Sequence, residues 1–176
     1  MTANTETRTA RPLEFRTGAD PVAADTGLLL LRLFFGGLLF VHGTQKLFGW
    51  FNGYGLTATA DGFGQMGYNP GKFFAVLAGL CEAVGGGLLF LGLLTPLAAA
   101  IVLGTMINAM NVTWSGGLAG YESALLFAVV AVALGFTGPG RFSLDHGRAW
   151  QRKGIVWGTG AFVLGVVAAV VTLLTK

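Results

Sequence analysis

The sequence predicts an all-α integral membrane protein of about five transmembrane helices. Three observations predict it. Only 11% of the 176 residues are charged, less than half the roughly 25% usual in soluble domains. Mean hydropathy is +0.68, and 29 residues are glycine, a residue more frequent in membrane helices than in soluble ones. Five apolar runs reach, or nearly reach, the roughly 20 residues that a helix needs to cross a hydrocarbon core of about 30 Å. The glycines follow no three-residue period, which excludes collagen, and no run alternates with period two, which argues against a barrel.

The runs cover residues 27–47, 72–94, 97–112, 118–136 and 154–174. The third and fourth are the shortest. A buried or re-entrant helix is the alternative for either, but their neighbours favour full spans. Before the first run, residues 1–26 mix Thr, Arg, Glu and Pro without periodicity. They contain no early apolar core and no small-residue cleavage site, so a disordered cytoplasmic tail is expected rather than a signal peptide. Residues 48–71 read as a long glycine-rich connection whose Trp50, Phe51, Tyr54 and Tyr68 suit a membrane–water interface. Thr95-Pro96 marks a tight hairpin, and Trp114 with the Ser-Gly-Gly after it joins the next two runs. The last connection, 137–153, begins Gly138-Pro139-Gly140 and is the most basic.

Charge sets the expected orientation. Arg8, Arg11 and Arg16 lie before the first run, and Arg141, Arg148, Arg152 and Lys153 lie between the fourth and fifth. Five spans put both groups on one side, and the positive-inside rule makes that side cytoplasmic. The N-terminus is then inside and the C-terminus outside a bacterial plasma membrane. The net charge of +3, with its basic residues in two clusters, gives no nucleic-acid surface. Cys81 is the one cysteine, so no disulfide forms within the chain, and dithiol chemistry needs a partner's sulfur.

Ionisable residues within a span cost roughly 2.5–3.5 kcal/mol at its centre, so they persist when they pair, face a cavity or work. The candidates are Arg32, His42, Lys46, Glu82 and Glu122, with Asn108 and Asn111 as neutral partners. His42 and Lys46 are four apart and share a helix face, and Arg32 lies on a nearby stripe. Asn108 and Asn111 share another face with Gly104 and Thr105. Gly79, Gly85 and Gly86 leave room beside Glu82 for a helix, a water or a ligand. By depth, His42, Lys46, Asn108, Asn111 and Glu122 are expected to meet in the outer half, with Glu82 near the midplane and Arg32 reaching towards it from the cytoplasmic side. Simpler readings stand beside these. Lys46 and Arg32 also fit side chains that snorkel to the interfaces, His42 fits an interhelical hydrogen bond, and Cys81 fits a small buried core residue. Gly79-Ala83-Gly87 and Ala161-Gly165-Ala169 read as helix-packing faces. No cysteine pair, histidine cluster or phosphate loop supports a metal, cluster, haem or nucleotide site.

An ordered set of these residues resembles the DoxX family. Arg32-Leu33, Gly36 and the run His42-Gly43-Thr44-Gln45-Lys46-Leu47-Phe48-Gly49 are similar to its first helix. Cys81-Glu82, Gly85-Gly86 and Leu91-Gly92-Leu93-Leu94-Thr95-Pro96 are similar to its second. Met106 to Asn111, Gly120-Tyr121-Glu122 and Thr137-Gly138-Pro139-Gly140-Arg141-Phe142-Ser143-Leu144-Asp145 complete the set. The resemblance covers 27–147 and implies an antiparallel four-helix transmembrane bundle. A basic linker and extra transmembrane helix over 148–176 depart from the family's usual four spans.

The resemblance also implies a small membrane subunit linked to thiosulfate:quinone oxidoreductase activity and to thiol or oxidative-stress complexes. Its soluble partners are of superoxide dismutase and sulfurtransferase kinds. The expected function is therefore a membrane subunit of a redox oxidoreductase assembly that binds a quinone or anchors soluble redox proteins. In this reading Glu82, His42 and Glu122 carry the chemistry, and Arg32, Lys46, Asn108 and Asn111 bind the ligand. Membrane lipids surround it and homo-oligomerisation is open. A small-molecule or lipid transporter and a structural anchor without catalysis are the alternatives.

Overall fold

The computed structural model describes residues 20–176. Most of the expected N-terminal tail lies outside this range, and its last residues are helical. α1 (Pro21–Leu31) starts ahead of the apolar run because Asp20 caps it, with Oδ1 accepting from Val22 N at 2.9 Å. Pro21 sits at the first helical position, where its missing N–H costs nothing. Asp25 is thereby held on the helix, where it accepts a hydrogen bond from Arg141 N at 3.1 Å.

A π-helical turn, Arg32–Gly36, joins α1 to α2 (Gly37–Phe48), so one continuous helix runs from Pro21 to Phe48. α3 (Gly55–Gln65) follows, then α4 (Gly71–Leu91), α5 (Thr95–Thr113), α6 (Gly117–Thr137) and α7 (Ile155–Thr175). Among the described residues, four helical stretches are long and apolar enough to cross a membrane. One of them, Thr95–Thr137, doubles back through the 3₁₀ turn Trp114–Gly116 into α5 and α6, so it supplies two crossings. The described residues therefore make five. α3 is an addition: 48–71 reads as a long glycine-rich connection, and it contains three turns of helix. Its glycines and threonines hide an amphipathic pattern too short to stand out.

α2 runs antiparallel to α4 at backbone contact. A Cβ on Gly36 would sit 2.6 Å from Phe90 N, one on Gly86 would sit 2.5 Å from Phe40 N, and one on Gly43 would collide with Ala83 N. Without a hydrophobic drive between helices in lipid, such close approach is the main source of association. α4 turns into α5 through Gly92 (φ +64°) and Leu94 (φ +48°), both left-handed. The core between the helices holds Leu39, Leu89, Val102, Leu103, Met106 and Leu134.

α7 lies beside α5 and parallel to it: a Cβ on Gly165 would sit 2.9 Å from Ala100 O. It buries Gly158, Ala161, Gly165 and Ala169 and exposes Phe162, Val163, Val167, Val170 and Val171. Small residues inward with large apolar residues outward is the arrangement of a helix whose solvent is lipid.

Candidate functional site

Lys46 and Glu82 form an ion pair across α2 and α4. Lys46 Nζ donates to Glu82 Oε2 at 2.5 Å. The Glu82 side chain keeps 6% of its exposure and that of Lys46 30%. Helix spacing explains the meeting. Lys46 lies in the last turn of α2, one turn past Gly43, whose missing side chain lets α4 come close enough for Glu82 to reach it. The tightest α2–α4 contacts then use Gly79, Ala83 and Gly86; Gly87 faces the Phe40 ring instead.

The pair lies on the wall of a cavity of about 460 Å³, a size usual for small-molecule sites. α4 contributes Leu77, Ala78 and Cys81, α5 contributes Ile101, Gly104, Thr105 and Asn108, and α7 contributes Ala168 and Thr172. Phe63 of α3 and Tyr68 of the α3–α4 connection also line it. The walls are mostly apolar, and the polar atoms are concentrated at Lys46, Glu82, Tyr68 and Asn108. Cys81 is half-buried on the wall, rather than sealed in a core.

Each polar wall residue has a defined partner. Tyr68, 2% exposed, donates its hydroxyl to Asn108 Oδ1 at 3.4 Å. Asn108 Nδ2 donates to Gly104 O at 3.0 Å and to Ala169 O at 3.5 Å, tying α5 to α7. Thr105 Oγ1 donates to Ile101 O at 2.9 Å. Tyr68 is also flanked by Phe63 and Phe74, edge-on at 5.3 and 5.1 Å. Burial pushes its hydroxyl above the ordinary tyrosine range, which keeps it a neutral donor.

The expected cluster is only partly assembled. Lys46, Glu82 and Asn108 share the cavity. His42 does not line it; its ring packs edge-on against Phe127 of α6 at 5.8 Å, one turn behind Lys46. Glu122 is exposed in the second turn of α6. Asn111 is exposed near the end of α5, where its Oδ1 accepts from Lys176 Nζ at 3.1 Å.

Arg32 is a further correction. It is 1% exposed and lies towards the other end of the helices, with Nη2 donating to the Phe142 carbonyl. Its guanidinium packs on Gly92, ten residues from Glu82 along α4, or about 15 Å at 1.5 Å per residue. The π turn at Arg32 and the absence of a side chain at Gly92 let the arginine turn towards the 137–153 connection instead of the midplane.

Two further residues shape the site and its supports. Tyr68 read only as an interfacial aromatic. Asp145, also 1% exposed, reads only as part of the basic 137–153 connection, yet it points inward. Its Oδ1 accepts from Leu94 N and Trp150 Nε1 at 3.1 and 3.0 Å, and its Oδ2 from Thr95 N and Oγ1 at 3.2 Å each. It thus caps α5 from fifty positions away. The structure starts α5 after Leu94, which has no side chain able to cap it, whereas Thr95-Pro96 reads in sequence as a turn that needs no distant cap.

The sequence model of the DoxX family matches residues 27–115. The chain is 31% identical over 123 residues to the putative oxidoreductase CatD of Bacillus subtilis, covering 69% of this chain and 86% of that protein. It is 36% identical over 99 residues to the uncharacterized membrane protein Rv3486 of Mycobacterium tuberculosis, covering 48% of this chain and 61% of that one. No solved structure matches. A five-crossing helical protein, matched by the family's model over half its length and by a relative over most of that relative's length, belongs to the DoxX family.

Proposed function

We propose that this chain is the membrane subunit of an oxidoreductase assembly and that its cavity holds a quinone. The observation that carries this reading is the Lys46–Glu82 pair on an otherwise apolar wall. A buried ion pair is a poor stabiliser compared with apolar packing, so its retention at a cavity points to work there. A quinone ring suits apolar walls, and an N–H of Lys46 offers a donor to a quinone oxygen. On two-electron reduction the ring takes up two protons, and the quinol hydroxyl so formed has an acceptor in Glu82. The electrons come from a soluble dithiol protein, which is oxidised to its disulfide. The name of the relative from Bacillus subtilis, putative oxidoreductase, supports the same class.

In this reading the membrane is the bacterial plasma membrane. Arg141, Arg148, Arg152 and Lys153 mark the cytoplasmic end by the positive-inside rule. The cavity then lies in the outer half of the bilayer, and soluble partners of superoxide dismutase or sulfurtransferase kinds complete the assembly. The test is electron transfer in the complex purified in mild detergent with its co-purifying proteins. Quinone-dependent turnover that Glu82→Gln abolishes at matched protein level is the expected result. No quinone-dependent transfer in wild type would leave a structural anchor instead.

A further inference from the structure

We propose that α7 is the second wall of the ligand site, and that the slot between α4 and α7 takes the apolar tail of an uncharged amphiphile entering from the bilayer. This rests on the reading that the cavity holds a ligand, and not on redox turnover.

α7 lies beyond the residues that the family model matches, 27–115, yet Ala168 and Thr172 line the cavity opposite Leu77 and Cys81 of α4. Removal of α7 would leave an open groove on the flank of α4 and α5. The rim residues Leu77 and Met66 are apolar and exposed, 37% and 41%. Past the mouth, α4 continues towards its C-terminal end with exposed Leu80 and Val84, so the mouth meets lipid along this face.

The hydrogen-bond ledger of the walls sets the head group. Asn108 uses both amide hydrogens on the Gly104 and Ala169 carbonyls and its oxygen on Tyr68. Thr105 and Thr172 give their hydroxyl hydrogens to carbonyls of their own helices. Lys46 keeps donors beyond the one used on Glu82, and the two charges cancel. An anion finds no net countercharge on these walls, whereas a neutral oxygen acceptor finds a donor. Ala168 then governs tail fit: it is the small residue of α7 that faces Gly104 of α5, 3.6 Å from the position of a Cβ there.

The test uses the full chain in lipid nanodiscs, with binding read by quenching of tryptophan fluorescence. The probes are tetramethyl-1,4-benzoquinone, a fully substituted benzoquinone carrying a decyl tail, and thiosulfate. Ala168→Leu is expected to weaken the tailed probe by about tenfold or more relative to wild type, since overpacking of a filled slot costs that much. The tailless probe should bind Ala168→Leu as it binds wild type. Thr172→Leu, checked for an unchanged melting temperature, gives the same comparison if Ala168→Leu fails to fold. Equal weakening of both quinones overturns the proposal, as does thiosulfate that competes with the tailed probe. Selective loss of the tailed probe in a protein without electron transfer would support the slot and sink the redox reading. Turnover without tail dependence would do the reverse.

Discussion

The Tyr68 hydroxyl donates to Asn108 Oδ1 at 3.4 Å, and Asn108 in turn donates to Ala169 O. Through these two side chains the α3–α4 connection, α5 and α7 close around one end of the cavity. Lys176 Nζ, 5.1 Å from the centre of the Tyr68 ring, adds a cation above it.

Tyr68→Phe removes the donor and leaves Asn108 Oδ1 without its partner, a loss of about 1 kcal/mol on the scale of neutral hydrogen bonds. The pH dependence has a definite sign. Burial raises the hydroxyl's pKa from its ordinary value of 10.0, so the folded state holds its proton more tightly than the unfolded state. The stability from that difference is fully present below the unfolded pKa. It declines as pH rises from about 10 towards the folded value. Thermal melts of wild type and Tyr68→Phe should therefore converge as pH rises past about 10; a gap that widens there contradicts the account.

Lys46 and Glu82 should respond asymmetrically. Lys46→Met leaves a carboxylate buried without its cation, whereas Glu82→Gln leaves an amide and a half-exposed ammonium. Removal of one member of a fully buried pair costs roughly 3–5 kcal/mol. Lys46 retains 30% side-chain exposure, so solvent screening reduces the loss on Lys46→Met to about 2–3 kcal/mol. Glu82→Gln should cost less, and the double variant should recover part of the Lys46→Met loss. Urea or thermal unfolding of the three in one detergent reads this directly, and additive losses would show that the two groups are uncoupled.

Asp145→Ala should destabilise more than any other single change in the 137–153 connection. It removes four accepted hydrogen bonds, among them the cap on α5. N-cap loss alone costs about 0.5–2 kcal/mol, and a charge-assisted bond adds about 1.5–3. Asp145→Asn keeps one acceptor oxygen and should lie between Asp145→Ala and wild type. The fluorescence of Trp150, whose indole N–H binds Asp145 Oδ1 at 3.0 Å, should shift in both.

Two glycine-to-alanine changes should have opposite signs. A Cβ on Gly43 collides with the Ala83 backbone, which has nowhere to move without parting α2 from α4. Gly62, inside α3, has open space around its would-be Cβ and no positive φ. Gly62→Ala should raise stability by about 0.5–1 kcal/mol through helix propensity, and Gly43→Ala should lower the melting temperature. Equal effects would mean that the α2–α4 contact is looser than described.

The membrane architecture was legible because a span writes itself as a run of apolar residues. Charged and amide side chains inside a run stand out for the same reason, which marks Lys46, Glu82 and Asn108. Their pairing is not marked, since one turn of helix rotation decides whether a side chain meets a neighbour. His42 and Glu122 show this. His42 follows Lys46's face yet turns to Phe127, and the Glu122 side chain is exposed on α6. Arg32 was misplaced because a π turn changes helical phase without any mark in composition. Tyr68 and Asp145 lie in connections, where the backbone path, not periodicity, determines what a side chain reaches.

Cys81 gives the most direct test of the cavity as a quinone site, because it is the one cysteine of the chain and lies on the cavity wall. The rate of its alkylation by a lipid-soluble maleimide can be followed in unmodified protein. The account predicts that Cys81 reacts, and that a fully substituted, tailed benzoquinone slows the reaction saturably. A rate unchanged at high quinone concentration, or a thiol that never reacts, would contradict it.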